Sequence, residues 1–538
     1  MKIILVYPDI VDVSRRYQVN TLSKYPPLMP LGILYLAAVL LQKNHEVKIF
    51  DNSVWELPNR TLLELILREN PDAVGFSTTF KNIGNARIIA KHLKVKNKKI
   101  KIIFGGPQAS YFAKEITALP YVDLTIIGEA EETLPRVLEK NFECLSEING
   151  LCLKDNYGNI VSTGNSTPVE DLDSLPYPAR QLWDLETFHR KWPNNTIFTM
   201  ITSRGCPYRC TFCSLPPHCR KYRARDPIKV VDEIEYLINH FGAKTIDFME
   251  DNFALNRERT YKICNEIIKR KLKFSWRCDT RVDNVTPELL AKMKEAGLRF
   301  IFFGIESGSQ KILDFLKKDI TIEQIRNAFS WCKELGINTF ASFMLGIPGE
   351  TCADIFNSFD FMTELEPTQF SFQTYVGIPG SELYHYLKKN NLSCDTWENA
   401  LLVSTKQLPR KETIRMEKEI SFRSKLYNLL RVFKIALPKQ DYDYHYDKKA
   451  WRNILSQLTK ILLRLKENPE KAIRKLKLIG VKIKLLQGKY KLAIPVLVYV
   501  NLLLGLIYNL HNEKNKAKEF AQKALSLSWD FKIPYQIY

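Results

Sequence analysis

Along the first 380 residues, short apolar runs that end in Gly, Ser, Thr, Asp or Pro recur, with helical patterns between them. No other feature constrains the folding of this chain as tightly. Strands that alternate with helices run parallel, and a parallel sheet must be covered on both faces or curled toward a barrel. The first series reads KIILVY (2–7), LGILYLAAVLLQKN (31–44), HEVKIFD (45–51), LLELILREN (62–70), PDAVGFSTT (71–79), NARIIAKHLKVK (85–96), KIKIIFGGP (99–107) and VDLTIIGEAEETLPRVLE (122–139). It predicts a flavodoxin- or Rossmann-like α/β domain over residues 1–140. The opening MKIILVYPD has too short an apolar run for a signal peptide and reads as the first strand. Ligands of such sheets sit at the carboxyl ends of the strands. Here those ends carry Pro8-Asp9, Ser77-Thr78-Thr79, Gly105-Gly106-Pro107 and Gly128-Glu129, which are small side chains and bare backbone.

A second series begins near residue 195: IFTMITSRG, TIDFMEDN, FSWRCDTR, RFIFFGIES, NTFASFMLGIPG and QFSFQTYVGIPG, with helical segments between. Six βα units over 195–390 fit an open, partial (β/α)6 TIM-like barrel whose site lies at the C-terminal face. Residues 141–194 join the two series. They hold a hairpin that turns at Asn-Tyr-Gly-Asn (156–159) and the Pro-rich stretch STPVEDLDSLPYPAR. Residues 391–450 read as a connector and 451–538 as a basic helical region.

Three of the eleven cysteines fall within eight residues, in SRGCPYRCTFCSLPP (203–217), directly after the first barrel strand. Cys206, Cys210 and Cys213 can converge on one metal group while a fourth corner stays open. Gly205 and Pro207 shape the turn, and Arg204, Arg209 and Arg220 supply charge that favours thiolates. A zinc knuckle completed by Cys219 or His218, or a set of buried thiols, uses the same residues. The other cysteines are scattered, as buried thiols of a cytoplasmic protein are, and form no disulfide framework. Glu250 and Asp251 follow an apolar strand and could cap a helix. Glu306 ends another strand, where burial requires a cationic partner. Arg277 and Arg281 could pair with these acids. Cys219, Cys278 and Cys352 read as packing thiols.

The Cys206-x3-Cys210-x2-Cys213 spacing, with Phe212 before the last cysteine, resembles the signature of the radical S-adenosylmethionine enzymes. The downstream strand ends match in order. FMEDNF (248–253), with Glu250 and Asp251, looks like the acidic motif that binds the methionine amino group. WRCDTR (276–281), with Arg277 and Arg281, and GIESGSQ (304–310), with Glu306 and Ser307, resemble the contacts to the methionine and ribose parts. MLGIPGET (344–351), with Gly346, looks like the backbone beside the adenine. The resemblance implies a [4Fe–4S] cluster on the three cysteines, its open iron chelated by S-adenosylmethionine. One electron, delivered by a donor such as flavodoxin or ferredoxin, would then release methionine and a 5′-deoxyadenosyl radical. Phe212 would pack against these cofactors.

Residues 1–140 resemble the cobalamin-binding domain that precedes the barrel in one branch of that family. The resemblance implies cobalamin at Ser77, Thr78, Gly105, Gly106, Gly128 and Glu129. The Asp-x-His-x-x-Gly motif, whose histidine binds cobalt from below in other cobalamin proteins, is absent: the first loop has Asp9 and no histidine. Methylthiotransferases need further N-terminal cysteines, and residues 1–143 have none. The implied activity is therefore cobalamin-dependent methylation of an unactivated carbon in a small-molecule or lipid substrate. Rearrangement or cyclisation without methyl transfer uses the same sites, and a non-catalytic iron–sulfur electron carrier or sensor would need only the cluster.

Charge is placed unevenly. From residue 401 onward Lys and Arg outnumber Asp and Glu by 29 to 11, which nearly accounts for the net charge of +20. Leu492–Leu510 carries no charge, but Pro495, Asn501 and Gly505 argue against a membrane span. Leu504-Gly505, Tyr508, Ala517, Ala521 and Ala524 fall at the spacing of one tetratricopeptide-type helix pair. Such a module reads as a solvated helical cap or a peripheral membrane contact. It carries no nucleic-acid-binding motif.

Overall fold

The computed structural model describes residues 1–9, 26–193, 197–215, 220–397, 400–431, 473–481 and 513–529, with isolated positions between 497 and 508. Two compact units are present, Met1–Ile414 and Arg415–Tyr538.

In the first unit, β1 (Lys2–Tyr7), β2 (Glu46–Asp51), β3 (Ala73–Ser77), β4 (Lys101–Gly105) and β5 (Leu124–Ile126) form a parallel sheet in the order β2-β1-β3-β4-β5. The crossovers include α1 (Leu31–Gln42), α2 (Asn59–Arg68) and α3 (Ile83–Lys96). Ile4, Val6, Val74, Phe76, Ile102 and Phe104 point into one core with Leu62, Ile66, Ile89 and Leu93 of α2 and α3. The expected hairpin forms as β6 (Leu151–Lys154) and β7 (Ile160–Ser162), and it extends the sheet antiparallel beyond β5. Asp155 sets its turn by accepting from the amides of Tyr157 and Asn159 at 2.9 and 2.8 Å. The connector is fastened to this domain by indole donors: Trp183 Nε1 bonds to the buried Asp51 at 2.8 Å and Trp55 Nε1 to Asp184 at 2.8 Å.

The second sheet holds β8 (Ile197–Met200), β9 (Thr245–Phe248), β10 (Ser275–Thr280), β11 (Leu298–Glu306), β12 (Asn338–Leu345) and β13 (Gln369–Thr374). They follow one another in sequence order and all are parallel, forming an open partial barrel. Each strand shows a period of two. Phe198, Met200, Ile246, Phe248, Trp276, Cys278, Ile301, Phe303, Ala341 and Phe343 are buried on the helix-covered face. Their neighbours face the lumen, and most of those are half-exposed or exposed. Intervening helices start on side-chain caps, as at Asp226, Asn256, Thr286, Thr321 and Thr351, each accepting backbone amide hydrogens.

In the second unit, helical segments are described at 473–481 and at Lys514–Trp529. Leu504 and Tyr508 are buried, and Tyr508 stacks on Phe520 with centroids 5.5 Å apart. The side chains of Ala521 and Ala524, most of Leu492–Leu510 and all of 432–472 lie outside the described residues. Among the described residues, no helix is long and apolar enough to cross a membrane.

Candidate active site

The cysteine loop leaves the barrel after β8 through the two residues Ser203–Arg204, which pair antiparallel with Arg223–Ala224. Gly205 has φ +88°, which lets the chain reverse into the loop. The loop is pinned at its centre: the Thr211 amide bonds to the Leu316 carbonyl at 2.9 Å, and the Leu383 amide bonds to the Thr211 carbonyl at 2.8 Å. Cys206, Cys210 and Cys213 are half-buried and free, and they interact electrostatically with one another. Among the described residues no group of three His, Cys, Asp or Glu is set to hold one metal ion. Thiolates of a cubane cluster bind different irons and so stand further apart than the ligands of a single ion. Cys219 lies outside the described residues.

The expected supply of positive charge is partly spent elsewhere. Arg204 is tied to Glu131 at 2.7 Å and Glu129 at 3.3 Å. Burial pushes the Cys206 and Cys213 thiols up, and Asp251 adds to that shift for both. Cys210 receives the best-placed cation, with Arg281 Nη1 3.8 Å from its sulfur. Arg281 is itself held by Asp283 at 2.9 Å and by the Lys318 carbonyl at 2.6 Å, and it lies 3.6 Å from the Tyr208 ring centre. Its guanidinium therefore belongs to the wall of the cysteine loop.

The other strand-end residues gather at the same face. Glu250 is buried and bonds through both oxygens to Thr202, and burial pushes its pKa up to about 7. Asp251 has no hydrogen-bond partner among the described residues; desolvation raises its carboxyl, and it acts on Cys206 and Cys213. Arg277 pairs with Asp247 across β10 and β9. Glu306 stands at φ +69°, at a register slip between β11 and β12. Its cationic partner is Lys318, at 3.0 Å, where the sequence suggested a cofactor cation or an arginine. The Lys318 ammonium also lies 5.6 Å from the Phe212 ring centre. Ser307 is fully buried against the Ser358 hydroxyl at 3.2 Å. The Gly346 amide donates to Glu350 at 2.6 Å, and burial pushes the Glu350 pKa up to about 8.

At the carboxyl edge of the first sheet, Ser77, Thr78, Gly105 and Gly106 come together. The Thr78 amide and hydroxyl both donate to the Gly105 carbonyl, at 2.8 and 2.9 Å. A side chain at Gly105 would meet nothing within 4 Å, so the edge presents open backbone there. Such an edge fits a large ligand lying on strand ends. The Gly128 amide is taken by the Ser110 hydroxyl at 3.0 Å. Glu129 is fully engaged by Arg223, at 2.5 and 3.0 Å, and by the Val169 amide at 2.9 Å. Tyr111, just past Pro107, bonds to His385 at 3.0 Å beyond the last barrel strand. The carboxyl edges of the two sheets thus meet each other.

Lys318, Glu350, Asp247, Asp279, Arg223 and Glu131 were not anticipated. Glu350 and Asp279 lay within quoted motifs, whereas the ion pairs of Asp247, Arg223 and Glu131 close between residues distant in sequence and left no local signal.

The Radical SAM superfamily model matches residues 200–362, and the B12 binding domain model matches residues 17–138. An uncharacterised methyltransferase of Pyrococcus horikoshii is 31% identical over 73% of this chain and 84% of its own length. An anaerobic magnesium-protoporphyrin IX monomethyl ester cyclase of Rubrivivax gelatinosus is 28% identical, covering 66% of each chain. Among solved structures, the cobalamin-dependent S-adenosylmethionine radical enzyme OxsB superposes with a TM-score of 0.65 at 18% identity, covering 98% of this chain and 83% of that one. The chain belongs to the radical S-adenosylmethionine superfamily, among the enzymes that join a [4Fe–4S]–S-adenosylmethionine barrel to a B12-binding domain.

Proposed function

We propose that this protein is a cobalamin-dependent radical S-adenosylmethionine methyltransferase that methylates an unactivated carbon of a small molecule. One observation carries the reading: Arg204 and Arg223, at the root of the cysteine loop, are clamped to Glu129 and Glu131 of the B12-binding domain. The clamp supports a reading in which both cofactor sites border one space. When bound, the cluster and S-adenosylmethionine supply a 5′-deoxyadenosyl radical, and cobalamin carries the methyl group.

The chain's own residues bind and orient. Cys206, Cys210 and Cys213 hold the cluster, and Arg281 donates to the Cys210 sulfur. Asp251, without a hydrogen-bond partner among the described residues, receives the amino group, while Glu250 supports the strand end through Thr202. Glu306 and Lys318 present a paired polar rim beside Phe212. Gly346, its amide held by Glu350, offers its carbonyl to the adenine. The open backbone at Gly105 and Gly106 takes the corrin edge.

Anaerobic reconstitution with iron, sulfide and cobalamin, then dithionite and methyl-deuterated S-adenosylmethionine, tests the reading. Four irons, a corrinoid visible spectrum, and both 5′-deoxyadenosine and S-adenosylhomocysteine are expected. A cluster-loaded protein that yields no 5′-deoxyadenosine, or binds no corrinoid, overturns it. The similarity to a cyclase favours a second reading, ring closure without methyl transfer. Formation of 5′-deoxyadenosine without S-adenosylhomocysteine would select that one.

A further inference from the structure

The lumen face of the barrel is built in layers, because laterally paired strand residues lie at one height. Asp247, Arg277 and Phe300 share the lowest layer. Asp279, Phe302 and Phe340 share the next. Gly304, Ser342 and Ser371 lie above them, toward the cysteine loop. The ring contacts agree with this placement. Phe302 stacks on Phe340 at 4.8 Å, Phe300 lies 5.1 Å from Phe302, and Arg277 sits 6.0 Å from the Phe302 ring centre. All three rings are only partly buried, although the opposite face of the same strands is sealed.

Charge in this lumen does not cancel. The Arg277 guanidinium is taken by Asp247, which leaves Asp279 with no ion-pair or hydrogen-bond partner among the described residues. The Asp279 side chain is exposed to the lumen, yet protein crowds it on its other sides. Desolvation, then the Asp247 carboxylate, pushes its pKa up to about 7 against the pull of Arg277, with Glu250 and Asp251 adding to the rise. An aromatic wall beside one unbalanced carboxylate complements a flat apolar body that bears a cationic nitrogen.

We propose that the barrel lumen binds a planar, largely apolar substrate through its basic nitrogen, with Asp279 as the recognising carboxylate and Phe302 and Phe340 as the supporting wall. This assignment rests on the methyltransferase reading above for the word substrate, and on the lumen alone for the ligand's chemistry. A carboxylate-bearing analogue of the same shape is rejected, because its charge would face Asp279, and the nearby cations Arg277 and Lys318 are already paired to Asp247 and Glu306.

The test uses the reconstituted holoenzyme with S-adenosylmethionine bound and two probes of matched shape, 1-naphthylmethylamine and 1-naphthylacetate. Anaerobic calorimetric titration should show the amine binding at least about tenfold more tightly, the scale of one charge-assisted hydrogen bond. Asp279→Asn should abolish that preference, and Phe302→Leu should weaken both probes together, with iron content and circular dichroism reporting intact folding. Equal or stronger binding of the acetate, no binding of either probe at millimolar concentration, or a preference that survives Asp279→Asn overturns the proposal. A wild-type prescreen for 5′-deoxyadenosine keeps the two readings apart. Its absence alongside an Asp279-dependent amine preference overturns the enzyme reading and supports the lumen assignment.

Discussion

Arg204, two residues ahead of Cys206, is ion-paired to Glu131 of the B12-binding domain at 2.7 Å, with side chains 17% and 7% exposed. Glu129 joins from the same loop and also grips Arg223. Removing one partner of a buried pair strands the other's charge in a poorly solvated place. Glu129→Gln should therefore cost about 3 kcal/mol in denaturant unfolding, measured by fluorescence. It should also speed proteolytic cleavage within the 141–193 connector. An unchanged cleavage rate would show that the clamp does not hold the two domains.

Arg281 should tune the cluster. Hydrogen bonds to cluster sulfurs favour the reduced state and raise its potential. Arg281→Met removes the donor to Cys210 and leaves Asp283 without its cation. The midpoint potential of the reconstituted cluster, followed by electron paramagnetic resonance, should fall. Arg281→Lys should not restore it, because one ammonium cannot serve Cys210, Asp283 and the Lys318 carbonyl together.

Stability should decline as pH rises from about 5 to 8. Glu350 is buried, its pKa raised from an ordinary 4.5 to about 8 by desolvation. A carboxyl raised on folding stabilises fully below its unfolded pKa, and that contribution is lost as pH climbs through the folded value. The slope for one such group is at most about 1.4 kcal/mol per pH unit. Glu250, raised to about 7, acts in the same direction. Glu350→Gln should flatten the upper part of the curve in thermal melts, and a curve as steep as wild type would refute its role.

Adjacent glycines should behave differently. At Gly106, φ is +91° and an added Cβ would come within 2.7 Å of the Thr78 carbonyl oxygen and 2.8 Å of its nitrogen. Gly106→Ala should lower the melting temperature by several degrees, as about 1–3 kcal/mol of strain would. At Gly105 an added methyl meets only open space. Gly105→Ala should keep the melting temperature and weaken cobalamin uptake, read in the visible spectrum.

Local pattern carried most of the architecture. Every strand of both series was legible, because period-two burial and runs such as KIILVY or RFIFFGIES need only near neighbours to be recognised. The antiparallel extension by β6 and β7 was half legible: Asp155 and Gly158 signal the turn, but nothing local says that the hairpin continues the parallel sheet. Of the candidate site, the cysteine spacing and the strand-end motifs could be read directly.

The sequence by itself determined that two βα series exist, and which strand ends carry Cys206, Cys210, Cys213, Asp251, Glu306 and Gly105. These depend on spacing along one stretch of chain. Tertiary structure alone decided which charges remain available. It spends Glu129 and Arg204 on each other's domains, gives Glu306 to Lys318 and Arg277 to Asp247, and leaves Asp279 in the lumen with no partner among the described residues. An ion pair forms wherever folding brings two side chains within a few ångströms, and for the Glu129–Arg223 pair that distance is closed across 94 residues.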